Sequence, residues 1–428
     1  MLDRRRWLTT VGAITGAALV PGCGTGKSGA GAAGGGSGEK PDIIYAPIYY
    51  NQMAQIARQA KAAGIKGSMF VGGDGWDAEE LLKDAGEELD GAYFTDHYAP
   101  DVPWPNAKSF LAKYKERFKR DPSSLAAMGY DAAKLLFDAM GRAKGDTPDD
   151  IRQAIADTKN FAGATGNISI DKDRNADKAI VIVQVKDKKF SYFATVNDKS
   201  AGAAGASGNG SAGPAPEPAP AGTAMNTGGV PDSGQEWKVG AYLSMSGEDT
   251  AFGTDTKEGI ELAVDEANAA GGPKGRKIKM IYEDDKSQPN EATNKVLQLI
   301  DRDKVVAILG EVASSRSRAG GIVCNKKKIP MISPSSTNAD VTKVGPYVFR
   351  VCFTDDVQGQ MGAEFIVNKL GKKKVAILYA SDDLYSSGLA KEFRDRLTKL
   401  GGTVVIEKSF LKKETNFTTY LNEIVGGK

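Results

Sequence analysis

Apolar runs of five to seven residues alternate with longer amphipathic runs from residue 237 to the end of the chain. The short runs predict β-strands, and the longer runs, with apolar residues three and four positions apart, predict α-helices. The predicted strands are 237–243, 277–282, 305–309, 374–379 and 404–408, and the predicted helices are 255–270, 290–301, 384–400 and 417–425. This βαβ rhythm is typical of a parallel sheet covered by helices, so the fold class is α/β.

A second apolar pattern lies nearer the N-terminus, with strand 42–46, helix 51–63 and strand 68–71. Two stretches rich in Gly, Ala, Ser or Pro interrupt the patterned regions, and such compositions cannot bury a core. The chain therefore divides into an N-terminal segment at 1–23, a tether at 24–40, a folded block at 41–196, a linker at 197–235 and a second block at 236–428.

The order of the parts is unusual. The second block ends on a helix with no strand after it, and the first block begins on a strand directly after the tether. Joining residue 428 to residue 41 restores an unbroken βαβ series, which indicates a circular permutation with 197–235 bridging the original termini. A flexible segment of that length has an end-to-end distance of about 35 Å, which suffices for such a bridge.

Residues 1–23 have the layout of an export signal. Three arginines at 4–6 precede an uncharged run at 7–20 that is too short to span a bilayer. The arginine segment resembles a twin-arginine motif, and the Gly-Cys pair ending at Cys23 resembles a lipobox, although Pro21 is unusual there. The alternative is that Cys23 merely lies near a cleavage site. Either way we expect an exported protein, periplasmic or at the cell surface, and the lipobox would anchor it to the membrane at Cys23.

Charge balance and residue counts argue against several classes of function. Lys and Arg total 56 and Asp and Glu 54, which gives no charge excess to favour a nucleic-acid partner. His97 is the single histidine, which argues against histidine-dependent catalysis and a multi-histidine metal site. We expect no metal and no cofactor. The sequence leaves open whether Cys324 and Cys352 form a disulfide.

Read in the restored order, both blocks resemble the leucine/isoleucine/valine-binding branch of the type I periplasmic binding proteins. The similarity is dispersed through 240–253, 310–315, 329–337, 385–390, 45–51, 72–76 and 129–132. It implies two Rossmann-like lobes with parallel sheets, joined by a three-crossing hinge, with the ligand in the cleft. Block 41–196 would be the C-terminal half of this fold, and block 236–428 the N-terminal half.

The resemblance also divides the chain between the lobes. Lobe one would contain residues 100–185 and 237–350, and lobe two would contain the remaining folded segments. The hinge crossings would lie near 95–99, 185–189 and 351–355.

A free amino acid presents a carboxylate, an ammonium and a side chain, and the matching stretches offer a partner for each. Ser314 follows a strand and precedes a helix, where unpaired N–H groups favour an anion. Ser335 and Thr337 follow the next strand. The resemblance implies that Ser314 and Thr337 hold the carboxylate and that the Ser335 carbonyl accepts from the ammonium. Taken alone, each residue is more typical of an N-cap or a turn.

Asp74 lies among glycines after strand 68–71 and supplies the anion that an ammonium needs. The resemblance pairs both Asp74 and Tyr49 with the ligand ammonium, whereas an aspartate in a glycine turn would otherwise be ordinary. The apolar end of the pocket would be shaped by Phe252, Tyr385, Trp76 and Leu125, although aromatic residues at such places more often belong to the core.

Arg316 departs from the branched-chain pattern, which has a small polar residue at this position. It either faces solvent or reaches the cleft. In the cleft it would pair with a second carboxylate or an amide, and the ligand would then not be a branched-chain amino acid.

These observations predict a solute-binding protein that captures an amino acid, of branched-chain type, for the membrane subunits of an ABC importer by hinge closure. One alternative is a sensory module that binds an amino acid, an amide or another small solute; the sequence offers no further membrane helix to support it. An enzyme is the other alternative, and it would need a nucleophile–base pair or a metal cluster, neither of which we find.

Overall fold

The computed structural model describes residues 39–196 and 236–426. The predicted export signal, most of the predicted tether, the predicted linker at 197–235 and the predicted lipidation site at Cys23 lie outside these residues. The strands are β1 (Ile43–Ala46), β2 (Phe70–Gly72), β3 (Tyr93–Asp96), β4 (Phe161–Gly163), β5 (Gly166–Ile170), β6 (Ala176–Asp177), β7 (Ile180–Lys186), β8 (Lys189–Val196), β9 (Trp237–Leu243), β10 (Ile278–Asp284), β11 (Ala307–Leu309), β12 (Met331–Ser333), β13 (Val348–Arg350), β14 (Lys374–Ala380) and β15 (Thr403–Phe410).

The helices cover the sheets. They are α1 (Tyr50–Ala62), α2 (Glu79–Ala85), α3 (Pro105–Phe118), α4 (Ser124–Arg142), α5 (Pro148–Ala156), α6 (Thr250–Ala269), α7 (Pro289–Asp301), α8 (Ser314–Lys327), α9 (Asp340–Lys343), α10 (Asp355–Glu364), α11 (Leu384–Lys399) and α12 (Thr418–Gly426). The predicted helices α1, α7, α11 and α12 begin within one residue of the predicted positions, and α6 begins five residues earlier than predicted. Within the described ranges, no helix has both the length and the apolar character needed to cross a bilayer.

β1 lies inside a seven-stranded sheet with the order β15-β14-β1-β2-β3-β7-β8. It pairs in parallel with β14 on one side and β2 on the other, so that Ile44 lies between Ala376 and Phe70. All four residues of β1 are buried, as expected for a strand covered by helices on both faces. This sheet therefore combines strands from both blocks of the sequence.

The second large sheet has the order β10-β9-β11-β12-β13, and its strand pairs are all parallel. Helices α4 and α6, one from each block, cross beside it at glycines. A Cβ on Gly259 of α6 would stand 1.9 Å from the carbonyl oxygen of Ala126 in α4. Only glycine permits this approach, so the two blocks are interlocked here as well.

The chain passes between the two sheets at three described places. The part around the five-stranded sheet is lobe one, and the part around the seven-stranded sheet is lobe two. Residues 97–104 and 351–354 contain the first and third crossings, where the resemblance placed them. The predicted crossing near 185–189 was wrong, as was the assignment of 180–185 to lobe one. β7 pairs antiparallel with β3 in lobe two, so the second crossing lies at 178–179.

Cys324 and Cys352 are both free and buried. Cys324 lies in α8 of lobe one, and Cys352 lies in the third crossing, where its thiol donates to the carbonyl oxygen of Ser336 at 3.3 Å. Burial raises the pKa of both thiols, to about 12 for Cys352, so neither is a reactive thiolate at neutral pH.

Candidate functional site

A small cavity lies between the two lobes. It is lined by polar, aromatic and aliphatic residues from both lobes: Tyr49, Asp74, Gly75, Leu125, Phe252, Val312, Ser314, Ser335 and Tyr385. Seven of the nine residues that the sequence suggested for ligand binding belong to this lining. The other two, Thr337 and Trp76, do not.

Asp74 begins a short 3-10 turn after β2, and its side chain is buried. Its Oδ1 accepts a hydrogen bond from the side-chain amide of Gln358 at 2.9 Å, and its Oδ2 lies 3.3 Å from Nε2 of His97. A carboxylate has about four lone-pair sites, so these two neighbours leave capacity for a further donor. The adjacent Gly75 allows the Tyr49 ring to pack close to the backbone, because a Cβ at this position would lie 2.9 Å from a carbon of that ring.

His97 is a neighbour of the site that the sequence reasoning did not assign. It is fully buried in the first crossing, and its ring packs on Phe353 of the third crossing with centroids 3.9 Å apart. Its Nε2 lies 3.4 Å from the hydroxyl of Ser335 as well as close to Asp74. Burial lowers the pKa of His97 to about 4 despite the hydrogen bond to Asp74, so the ring is neutral at pH 7. The sequence feature that could have indicated His97 was its position in the predicted hinge crossing at 95–99.

Ser314 and Ser335 supply hydroxyl groups from lobe one, after β11 and β12. Ser314 is the first residue of α8, and its Oγ accepts from the backbone N–H of Asn338 at 3.2 Å. The N-terminus of α8 adds positive potential on this side of the cavity. Lobe one thus offers hydroxyls and a helix start, whereas lobe two offers the Asp74 carboxylate.

Three aromatic rings form one wall of the cavity. The rings of Tyr49 and Tyr385 stack with centroids 5.1 Å apart and planes inclined by 6°. Phe252, from lobe one, meets the Tyr49 ring edge-on at 5.4 Å. The Tyr385 hydroxyl accepts from the N–H of Gly75 at 3.1 Å. Since the tyrosines belong to lobe two, this wall is complete only when the lobes meet.

Trp76 and Thr337 lie behind the lining. The Trp76 indole N–H donates to the carbonyl oxygen of Ala46 at 3.0 Å, and the ring packs on Phe94, so Trp76 belongs to the core of lobe two. Thr337 is buried, and its carbonyl oxygen accepts from the backbone N–H of Asp355 at 2.9 Å. Which residue of a turn reaches the cavity depends on the backbone geometry of that turn, which the sequence pattern does not show.

Arg316 neither faces solvent nor lines the cavity, so both alternatives left open by the sequence were wrong. It is 1% exposed and lies among carboxyl groups of lobe one. Its Nη1 is 2.8 Å from Oδ2 of Asp249, and its Nε is 2.9 Å from Oε2 of Glu311. The Asp285 carboxyl lies farther from the same Nε, at 3.9 Å.

Two carboxyl groups of lobe two contact the N-terminus of α4 in lobe one. The backbone N–H of Ser124 donates to Asp77, and the Ser124 hydroxyl donates to Oδ1 of Asp96 at 2.6 Å. Burial raises the pKa of Asp77 to about 7 despite the hydrogen bonds from Ser124, and burial together with Asp77 raises the pKa of Asp96. The two carboxyl groups therefore retain a proton near neutral pH.

Two α/β lobes around a cavity with convergent polar groups are an architecture for binding small molecules. A family model described as periplasmic binding protein matches residues 37–189 and 236–428, which is most of the chain. The chain belongs to the periplasmic binding protein family. This is a family of exported binding proteins and not of enzymes.

The sequence relatives of this periplasmic binding protein include amino-acid-binding proteins. An amino acid binding protein of Pseudomonas aeruginosa is 36% identical over 187 residues, which are 44% of this chain and 50% of the relative. A Leu/Ile/Val-binding protein of Citrobacter freundii is 31% identical over 183 residues, which are 42% of this chain and 49% of the relative. The chain spans about half the length of the curated relatives it matches.

Solved structures give matches of similar extent to this periplasmic binding protein. A leucine-binding protein of Thermotoga maritima is 35% identical with a TM-score of 0.40, and the match covers 43% of this chain and 51% of that chain. A branched-chain amino acid transporter substrate-binding protein of Streptococcus pneumoniae, in complex with isoleucine, is 35% identical with a TM-score of 0.41, covering 44% and 53%.

Proposed function

We propose that this chain is an extracytoplasmic solute-binding protein that captures an amino acid, of branched-chain type, for an ABC importer. The observation that carries the proposal is the cavity in which a buried carboxylate, two serine hydroxyls and an apolar wall face one another across two lobes. A zwitterion with an apolar side chain needs these three kinds of partner. The Pseudomonas relative is an amino acid binding protein and the Citrobacter relative is a Leu/Ile/Val-binding protein, which supports the same class of ligand.

Each end of the ligand has its own partners in this proposal. Asp74, with Tyr49 beside it, accepts hydrogen bonds from the ammonium, and so does the backbone carbonyl of Ser335. Ser314 and Thr337 donate to the carboxylate, and Thr337 does so from behind the lining. The apolar end of the ligand lies against Phe252, Tyr385 and Leu125, and Trp76 supports the Asp74 turn from the core.

Capture is a reversible change in the angle between the lobes. The ligand binds first to one lobe, the three crossings bend, and the second lobe completes the cavity. The membrane subunits of the importer then recognise the closed form. No covalent bond changes in this sequence of events.

Two further proposals concern the chain itself. We propose that it is circularly permuted, with 41–196 as the C-terminal half and 236–428 as the N-terminal half of the fold; the pairing of β1 with β14 supports this order.

We also propose that Cys23 carries a lipid anchor. Mass spectrometry of the N-terminal peptide from the exported protein tests the anchor, and an unmodified or absent Cys23 would contradict it.

Calorimetric titration with a panel of amino acids and small amides tests the binding function. We expect tight binding of one branched-chain amino acid to the wild type. Asp74→Ala should weaken it at least about thirtyfold, because the ligand ammonium would lose its buried charged partner. Asp84→Ala, an exposed aspartate in α2 of the same lobe, is the matched control and should bind normally. A cooperatively folded wild type that binds none of the panel would refute the amino-acid assignment.

A further inference from the structure

An ion pair joins the two lobes directly behind the aromatic wall of the cavity. Lys412, in the loop after β15 of lobe two, places its ammonium 3.2 Å from Oδ2 of Asp249, which precedes α6 of lobe one. The same ammonium lies 4.8 Å from the centre of the Tyr49 ring, which lines the cavity. The ion pair therefore connects the two lobes behind Tyr49, which itself lines the cavity.

The partners of Asp249 within lobe one leave a deficit of positive charge. Arg316 is shared between Asp249 and Glu311, and Asp285 lies close to the same guanidinium. Burial and the nearby Glu311 raise the pKa of Asp285 to about 8, so Asp285 is mostly protonated at neutral pH. Two carboxylates then face one guanidinium, and the Lys412 ammonium supplies the charge that balances them.

Lobe two holds Lys412 in position for this contact. Its carbonyl oxygen accepts from the side chain of Gln52 at 3.1 Å, and its N–H donates to Oδ1 of Asp382 at 2.7 Å. Asp249 is completely buried, whereas the Lys412 side chain is 17% exposed. Burial acts to raise the pKa of Asp249, but Arg316 and Lys412 outweigh it and lower this pKa below its ordinary value, so Asp249 is ionised.

We propose that Lys412 is a positioning residue that sets ligand affinity by holding the lobes closed through Asp249. Opening the hinge would separate the pair and leave lobe one with a buried negative charge that Arg316 alone does not balance. The inference rests on the proposed function for the identity of the ligand only. It also gives Arg316 a role: it holds Asp249 where Lys412 reaches it, which accounts for the departure from the branched-chain pattern.

Stopped-flow measurement of ligand dissociation tests the role of Lys412. Lys412→Gln should accelerate dissociation of the bound amino acid about tenfold to thirtyfold, since losing one partner of a buried hydrogen-bonded charge pair acts mainly on the dissociation rate. Lys412→Arg should retain most of the wild-type behaviour. Lys413→Gln, at the exposed neighbouring position, removes the same charge from the same loop and should change nothing.

Small-angle X-ray scattering of the ligand-free full chain separates this inference from the proposed function. Lys412→Gln should give a larger radius of gyration than Lys413→Gln, whether or not an amino acid binds. If the wild type binds no amino acid but this difference is seen, the proposed function fails and the ion pair stands. Equal radii for the two variants, together with equal dissociation rates wherever a ligand binds, would overturn the role of Lys412.

A double-mutant cycle with Asp249→Asn tests the pair itself. The combined effect of Lys412→Gln and Asp249→Asn on the dissociation rate should be smaller than the product of the two single effects, because the second change removes a partner that is already missing. Multiplicative effects would show that the two residues act independently and would overturn the inference.

Discussion

Tyr385 contributes to the cavity in two ways. Its ring stacks on Tyr49, and its hydroxyl accepts the backbone N–H of Gly75, the residue after Asp74. The hydroxyl thus fixes the turn that carries the proposed ammonium partner, while the ring forms the apolar wall. A single residue of α11 therefore couples the shape of the cavity to the placement of its charge.

Tyr385→Phe separates these two contributions. The ring should keep its stacking, but the buried N–H of Gly75 would lose its acceptor, at a cost of about 1–3 kcal/mol in the free energy of unfolding. We expect ligand affinity to fall about tenfold as the Asp74 turn relaxes. Chemical denaturation and calorimetry measure the two effects. Tyr379→Phe, a half-buried tyrosine on β14 of the same lobe, is the control, and equal behaviour of the two variants would contradict this role.

At this scale the sequence predicted most of the cavity lining but not its support. Glycine turns, serines after strands and an isolated aspartate are visible in a sequence, and most of them reached the cavity. The partners of Arg316 and the contact of His97 with Asp74 could not be predicted, because they depend on tertiary contacts between residues far apart in the chain.

The N-terminus of α4 is the element whose environment depends most directly on closure. Its first residue, Ser124, donates to Asp77 and Asp96 of the opposite lobe, and Asp74 and Asp255 add further negative charge around Asp77. An open cleft would hydrate these carboxyl groups and return their pKa values toward the ordinary range near 4. Closure at neutral pH therefore takes up a proton.

Ligand affinity should consequently rise as the pH falls. Because the pKa of Asp77 is raised in the closed form, protonation of Asp77 stabilises closure fully below about pH 4. This stabilisation is lost as the pH rises through about 7. Titration calorimetry between pH 5.5 and 8.5 should show weaker binding at the alkaline end, and Asp77→Asn, which still accepts from Ser124, should flatten the profile.

Other groups near this contact titrate differently. The pKa of His97 is lowered to about 4, below the range of the titration. Burial lowers the pKa of Lys178 to about 8, although the charges of Asp131 and Asp96 act to raise it. The comparison with Asp77→Asn isolates the carboxyl pair from Lys178. An unchanged slope in that variant would rule out the carboxyl pair as the source of the pH dependence.

At the scale of elements, parallel strands were easier to predict than antiparallel ones. β9, β14 and β15 match their predicted runs within a few residues because buried parallel strands are continuous apolar segments. β7 is equally apolar, yet its sheet was assigned wrongly. An apolar run shows that a strand is buried but not which neighbour it pairs with, and β3 provides that neighbour.

The whole molecule interlocks two sequence blocks in both lobes. β1 of the first block lies between β14 and β2, and the N–H of Phe417 just before α12 donates to the Gln59 side chain in α1 at 2.7 Å. The α12 end of the second block thus packs against the element that follows β1 in the first. This arrangement supports the proposed permutation.

A rearranged chain tests the permutation. It would begin at residue 236, run to 428, and continue through a short Gly-Ser segment into 41–196. We expect it to fold cooperatively and to bind the same ligand with an affinity close to that of the wild type, because the strand pairs of both sheets are preserved. Thermal unfolding and calorimetry measure this, and a rearranged chain that fails to fold would contradict the proposed original order.

The interlocked blocks have a practical consequence for a chain that is cut. A break anywhere in 197–235 would leave two fragments, each with part of both lobes. The seven-stranded sheet would be divided between them, whereas all five strands of the other large sheet would stay in the second fragment. Neither fragment alone could form the cavity, whereas together they contain every residue of its lining. The protein is thus a natural starting point for a split reporter, in which the proposed ligand binding returns only when two fused partners bring the fragments together.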